Sequence, residues 1–168
     1  NHGVLDLMSQ SLEHRGPDSN DSWYSSGIGF SHRRLTILDI STASKQPMVD
    51  NQTGIVITYN GEIYNYIEIR KKLIDKGHSF VSTGDTEVLL RAYIEWKHDL
   101  FVEINGMFAF SIYDPRDNTV FFARDFFGQK PLFYYHYEEG IIFSSELNSL
   151  IKNRTIPHDI DKEAISEY

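Results

Sequence analysis

With 168 residues, the chain is long enough for one domain with a real core and short for two. Apolar residues make up 40% and charged residues 24%, a globular balance, while a net charge of −8 disfavours a nucleic-acid or anionic-membrane partner, either of which needs a basic face. The absence of cysteine excludes disulfides and thiol chemistry within these residues, and no apolar run approaches the roughly 20 residues of a membrane span. No signal-peptide pattern opens the chain, so the expected compartment is the cytoplasm.

In chain order, Leu5, Met8 and Leu12 recur at helical spacing and predict a helix over Val4 to Glu13. Arg15-Gly16-Pro17-Asp18 reads as a loop, because glycine and proline both punctuate. Ile28 to Leu38 reads as a strand continuing into a second extended piece, followed by a polar loop from Ser41 to Pro47. Ile55 to Tyr59 is apolar and β-branched, as a buried strand requires, and Asn60-Gly61-Glu62 marks its end. Tyr66, Ile69 and Leu73 then place a helix over Tyr64 to Lys76, stopped by Gly77. A short strand is expected over His78 to Ser82 and a second helix over Asp85 to Lys97. Strands follow at Met107 to Tyr113, Val120 to Arg124, Leu132 to Tyr137 and Ile141 to Ser144. Polar turns at Asp114 to Asn118 and Glu138 to Gly140 connect them. Two helices among hairpin-linked strands favour a layered α+β domain with antiparallel sheets. The domain is expected to span residues 1–155, with 156–168 opening a linker or helix toward a domain beyond this chain.

Several groups carry chemistry, each beside a plainer reading. Asn-Gly is a strong hairpin signal, yet no second alternating strand follows Asn60-Gly61. The plain reading is a turn into a helix, with Glu62 favoured by the helix dipole. The functional reading gives Asn60 and Gly61 two N–H donors aimed at one point, as an oxyanion hole requires, with glycine permitting close approach to the backbone. Arg33 and Arg34 alternate along a strand, so at most one points inward. That one is either a solvated arginine or a planar fork for a carboxylate. Asp85 is either a helix N-cap or a carboxylate for a ligand ammonium. His32 on a strand reads as structural, and Arg124 with Asp125 as a pair. The seven histidines show no ligand spacing, so no metal site and no cofactor is expected in this domain.

Taken together, "HRGPDS", "FSHRRLTILD", "QPM", "YNGEIYN", "STGDTEVLLRAY", "INGMFAFSIYD", "ARDFFGQKPLFYY" and "FSSELNSL" resemble the glutaminase domain of glutamine-hydrolysing asparagine synthetase. That domain is a class II glutamine amidotransferase of the N-terminal-nucleophile hydrolase group, and the resemblance runs from about His14 to Leu150. It implies a four-layer α/β/β/α sandwich with two antiparallel sheets between helices. It implies hydrolysis of glutamine to glutamate and ammonia, the ammonia passing to a C-terminal synthetase domain of the same polypeptide that uses ATP and magnesium on aspartate. By motif position, Arg34 holds the glutamine α-carboxylate, Glu62 and Asp85 its α-ammonium, and Asn60 with Gly61 the oxyanion. His14 to Asp18 match the loop near the nucleophile and are read as structural.

One feature departs from that family. Its nucleophile is an N-terminal cysteine whose own α-amino group is the general base. This chain starts at Asn1 and has no cysteine, so a strand of roughly 5–6 residues is expected to precede it. Without that cysteine, the residues as given are expected to be inactive by the family route. Two alternatives stay open: a catalytically inactive glutamine-binding or interaction module of the same fold, and an amidotransferase feeding a different acceptor. A homodimer is also left open.

Overall fold

The computed structural model describes residues 2–25, 27–35 and 41–157. In chain order the elements are α1 (His2–Gln10), β1 (Ser19–Ser25), β2 (Ile28–Arg34), β3 (Met48–Val49), β4 (Val56–Ile63), α2 (Tyr66–Asp75), α3 (Asp85–Trp96) and α4 (Leu100–Glu103). They continue with β5 (Gly106–Asp114), β6 (Thr119–Arg124), β7 (Phe133–Tyr137), β8 (Gly140–Ser144) and α5 (Leu147–Leu150). The central four-stranded sheet runs β3-β4-β5-β6, every pair antiparallel.

Alternation along β4 builds two cores from one strand. Ile57, Tyr59 and Ile63 point to one face and pack with Phe108, Phe110 and Ile112 of β5 against Ile69 and Leu73 of α2 and Leu89 and Tyr93 of α3. On the opposite face Val56 joins Tyr113 and Phe30 of β2, with Trp23, Val120 and Phe143 around them. A third cluster joins Met8 of α1 and Leu150 of α5 to Tyr135 of β7 and Ile142 of β8. The layers are therefore α2/α3, the central sheet, the two hairpins β1–β2 and β7–β8, and α1/α5. This is the α+β four-layer α/β/β/α sandwich that the motifs imply. The second β layer is two hairpins that form separate two-stranded sheets among the described residues. Phe30 and Phe143 meet edge-on across them, centroids 5.7 Å apart.

Two sequence expectations are corrected, and one strand lies where none was expected. Asn60-Gly61 does not end the strand, since β4 continues through it to Ile63, paired with β5 along the whole length. His78 to Ser82 forms no strand, because the Val81 and Ser82 N–H groups donate to the Glu87 side chain of α3, leaving no ladder to build. Ser19–Ser25 is a strand although its polar sequence gave no apolar alternation, and it is held by a full register against β2. The second extended piece beyond Leu35 and the helix begun at Lys162 fall outside the described residues.

Candidate active site

A cavity of about 360 Å³ opens where β3 stops covering the edge of β4, and Arg34, Gln46, Asn60, Gly61, Asp85 and Lys130 are among its lining residues. That volume suits a small metabolite. The size follows from strand length: β3 pairs only Met48 with Ile57 and Val49 with Val56, so β4 has a bare edge from Thr58 onward.

The bare edge carries its own ordered set of N–H groups. In an antiparallel strand, alternate residues direct N–H and C=O to the same side. Tyr59 N donates to Gln46 Oε1 at 2.6 Å, and Ile63 N donates to Asp85 Oδ2 at 3.0 Å. Gly61, midway between them, directs its N–H to the same edge. Its register partner Phe108 cannot take that N–H, because both backbone groups of Phe108 are engaged with Asp125 on the far side. Glycine is required here for a second reason: a Cβ at residue 61 would lie 2.3 Å from the Met107 carbonyl oxygen and 2.8 Å from Phe108 Cα.

Asp85 is the first residue of α3, and the N-cap position belongs to Gly84. Its carboxylate does not cap the helix. Oδ2 reaches across to accept from Tyr59 Oη at 2.8 Å as well as from Ile63 N, and the residue is only 6% exposed. Burial, then the Asp85 charge and hydrogen bond, then Glu62, push the Tyr59 phenol far above its ordinary value, so it stays a donor to Asp85. The loop before Asp85 is held by Glu87, which also takes the Ser82 hydroxyl at 2.7 Å, and by Arg70, which donates to Ser82 O at 2.6 Å.

Arg34 closes β2, and its Nη1 donates to Ser41 O at 3.1 Å. The loop of "HRGPD" braces it. Asp18 N donates to Arg34 O at 3.1 Å, and Gly16 packs so tightly that a Cβ there would lie 2.4 Å from the Arg33 carbonyl. His14 and Arg15 both reach Glu146, just ahead of α5, at 2.9 and 3.1 Å. Arg33 also lines the cavity but donates its Nε to Ser9 O at 3.1 Å, so it is committed to α1. His32, another lining residue, lies 3.3 Å from Thr58 Oγ1. Burial and the neighbouring Arg34 lower it to about 4, so it is neutral at pH 7.

The cavity lining thus includes Arg34 from β2, Asn60 and Gly61 from β4 and Asp85 from α3, while Glu62, next along β4, is not part of it. Sequence reasoning overlooked Gln46, whose motif was visible in "QPM" but whose partner lies 13 residues on. It also overlooked two buried hydroxyls on the lining, Ser44 and Ser111, which have no hydrogen-bond partner among the described residues and would be satisfied by a polar ligand. Arg124 and Asp125 are not a pair. Arg124 donates to Gly128 O and Lys130 O, while Asp125 accepts from the Phe108, Gln129 and Lys130 N–H groups.

Comparison with known proteins agrees with this architecture. The chain is 40% identical over 166 residues to asparagine synthetase [glutamine-hydrolyzing] 3 of Bacillus subtilis, covering 98% of this chain and 27% of the relative. It is 41% identical over 165 residues to asparagine synthetase [glutamine-hydrolyzing] 1 of the same organism, covering 98% and 26%. The chain therefore spans about a quarter of the length of these relatives. Among solved structures, the glutamine phosphoribosylpyrophosphate amidotransferase of B. subtilis, complexed with ADP and GMP, superposes with a TM-score of 0.72 at 18% identity, over 89% of this chain and 40% of that one. That likeness is one of fold. The glutamine amidotransferase domain profile matches residues 1–168 throughout, and the chain belongs to that family.

Proposed function

We propose that the chain is the glutaminase portion of a longer asparagine-synthetase-type ligase, releasing ammonia from glutamine for an ATP- and magnesium-dependent domain elsewhere in the polypeptide. The observation that carries the reading is the Gly61 N–H on a bare strand edge, flanked by Gln46 and Asp85, in a cavity that Arg34 also lines. Arg34 takes the glutamine α-carboxylate and Asp85 its α-ammonium, one cation and one anion for a zwitterion. Glu62 adds a second anion, close enough to raise the Tyr59 phenol. The Asn60 amide and the Gly61 N–H then meet the oxyanion that forms when the side-chain carbonyl is attacked.

The attacking thiol has to come from outside residues 1–168, which contain no cysteine. The open edges of β2 and β8 offer it a place. Both strands line the cavity, and a strand laid between them would join the two hairpins into one sheet. With that nucleophile, water and glutamine give glutamate and ammonia; without it, the same site binds glutamine and leaves it intact. ATP and magnesium are assigned to none of the residues described here.

The test is made on the full-length protein. Wild type is expected to release glutamate from glutamine, and Arg34→Ala to weaken glutamine binding about 30-fold, the loss of one charged hydrogen bond. Unchanged affinity by calorimetry refutes the carboxylate assignment. Binding without glutamate release selects the non-catalytic module, and ammonia transfer to an acceptor other than aspartate selects a different ligase.

The loop after β6 bears on the partner domain. Phe126 and Phe127 are 97% and 82% exposed, yet the loop that carries them is braced by Arg124 and by the buried Asp125. It runs directly into Lys130 and Pro131 of the cavity lining. Two phenylalanines held out rigidly beside the cavity suit contact with the further domain that receives the ammonia. Replacing both by serine is expected to lower the asparagine formed per glutamine hydrolysed by at least about half, with glutaminase kcat unchanged. Equal yields from wild type and the double variant remove this contact from the proposal.

A further inference from the structure

We infer that Gln46 is a positioning residue for the oxyanion site: its side-chain amide replaces the next rung of the β3–β4 ladder and so keeps the Gly61 N–H unpaired and fixed in direction. The inference rests on the glutaminase reading above.

The register makes the substitution visible. Met48 faces Ile57 and Val49 faces Val56. Continued by two residues, that pairing would set the backbone of Gln46 against Tyr59, and by two more would set Ser44 against Gly61. A continued β3 would therefore consume the Gly61 N–H. The chain instead turns through a short 3-10 segment at Thr42–Ser44 and leaves the ladder. The Tyr59 N–H still needs an acceptor, being buried, and the Gln46 side chain supplies one at 2.6 Å. A side chain ends the ladder at that rung, because it brings no further backbone groups with it.

The same amide ties the edge to α3. Gln46 Nε2 donates to Thr86 Oγ1 at 3.3 Å, and Thr86 follows Asp85, whose carboxylate takes the Ile63 N–H. The two rungs flanking Gly61 are thus held by two side chains, Gln46 and Asp85, that are themselves linked through the first turn of α3. Gln46 is 8% exposed, so these bonds lie largely out of water. An unpaired edge left to itself slips or recruits another strand. Held at residues 59 and 63, it presents one N–H in a fixed direction, and preorganised donors are what stabilise a developing oxyanion.

The experiment compares Gln46→Leu and Gln46→Glu with wild type in the full-length protein, measuring kcat and KM for glutamine hydrolysis and the melting temperature. Leucine removes both hydrogen bonds at similar volume. Glutamate keeps an acceptor for Tyr59 N and a partner for the Thr86 hydroxyl. The expected result is a fall in kcat of about 10- to 100-fold for Gln46→Leu with KM within about threefold, somewhat less than deletion of an oxyanion donor itself. Gln46→Glu is expected to hold kcat within about fivefold of wild type. Unchanged kcat in Gln46→Leu overturns the inference, as does a parallel rise in KM that marks a merely structural loss. If Gln46→Leu does not fold, Gln46→Glu decides alone: loss of activity at a normal melting temperature overturns the inference, because the acceptor is still present. Failure of the glutaminase reading shows up separately, as a wild-type protein that releases no glutamate.

Discussion

Asp85→Ala is expected to abolish measurable glutamine binding and to lower stability by about 3–4 kcal/mol. Two buried donors lose their acceptor at once, the Tyr59 hydroxyl and the Ile63 N–H. Leaving a buried donor unsatisfied costs about 1–3 kcal/mol each, and more when the lost partner was charged. Tyr59 cannot relieve the loss by ionising, since burial alone is the largest of the effects holding its phenol above the ordinary value. Asp85→Asn separates the two roles. An amide oxygen still accepts from one or both donors, so about half of the stability returns, while the negative charge proposed to face the glutamine ammonium is gone. Urea unfolding and a glutamine titration on both variants check this. Near-normal glutamine affinity in Asp85→Asn would remove Asp85 from the ammonium site and leave it a structural role alone.

The same residue shows how far sequence reading reaches. The β-branched run before Asn60 and the helical spacing after it were legible because each is a local pattern with its own period, and both recur in the structure as β4 and α2. The four-layer order was legible through family motifs in sequence. What was not legible depended on one side chain reaching another element. Asp85 at the start of a helix looks like a cap, and only the fold reveals that it crosses to β4. His78 to Ser82 has strand composition, but Glu87 captures its N–H groups from the next helix. Gln46 sits in a polar loop with no periodicity, and its role appears only when the register of β3 is extended. From Ser19 to Trp23 the strand alternates between half-buried and exposed positions, but Ser19 to Ser22 are all polar, which hides a strand from any pattern based on hydropathy.

The second large effect concerns stability and lies away from the cavity, at the end of β5. Asp114 is 0% exposed, and its carboxylate accepts from Arg116 N at 3.0 Å, Arg116 Nε at 2.9 Å, Arg116 Nη2 at 2.8 Å and from the Lys97 ammonium. Lys97 follows α3 and takes a φ of +51°, an unfavourable value for a residue with a Cβ, so this contact also anchors a strained turn. Removing one partner of a buried ion pair costs about 3–5 kcal/mol. Asp114→Ala belongs at the low end, about 3 kcal/mol, because Lys97 and Arg116 are 38% and 39% exposed and rehydrate when released. The pH dependence has a definite sign. The hydrogen bonds from Arg116, followed by that from Lys97, hold the Asp114 carboxyl well below the usual carboxylate range. A depressed folded-state value means that the stabilisation is fully present above the unfolded carboxylate value of about 4 and is lost as the pH falls below it toward the folded value. Urea midpoints of wild type and Asp114→Ala should therefore differ by a constant amount from pH 7 to about pH 5 and converge below about pH 4. A gap that stays constant into strong acid would mean that Asp114 contributes through packing, and that Lys97 and Arg116 hold their places without its charge.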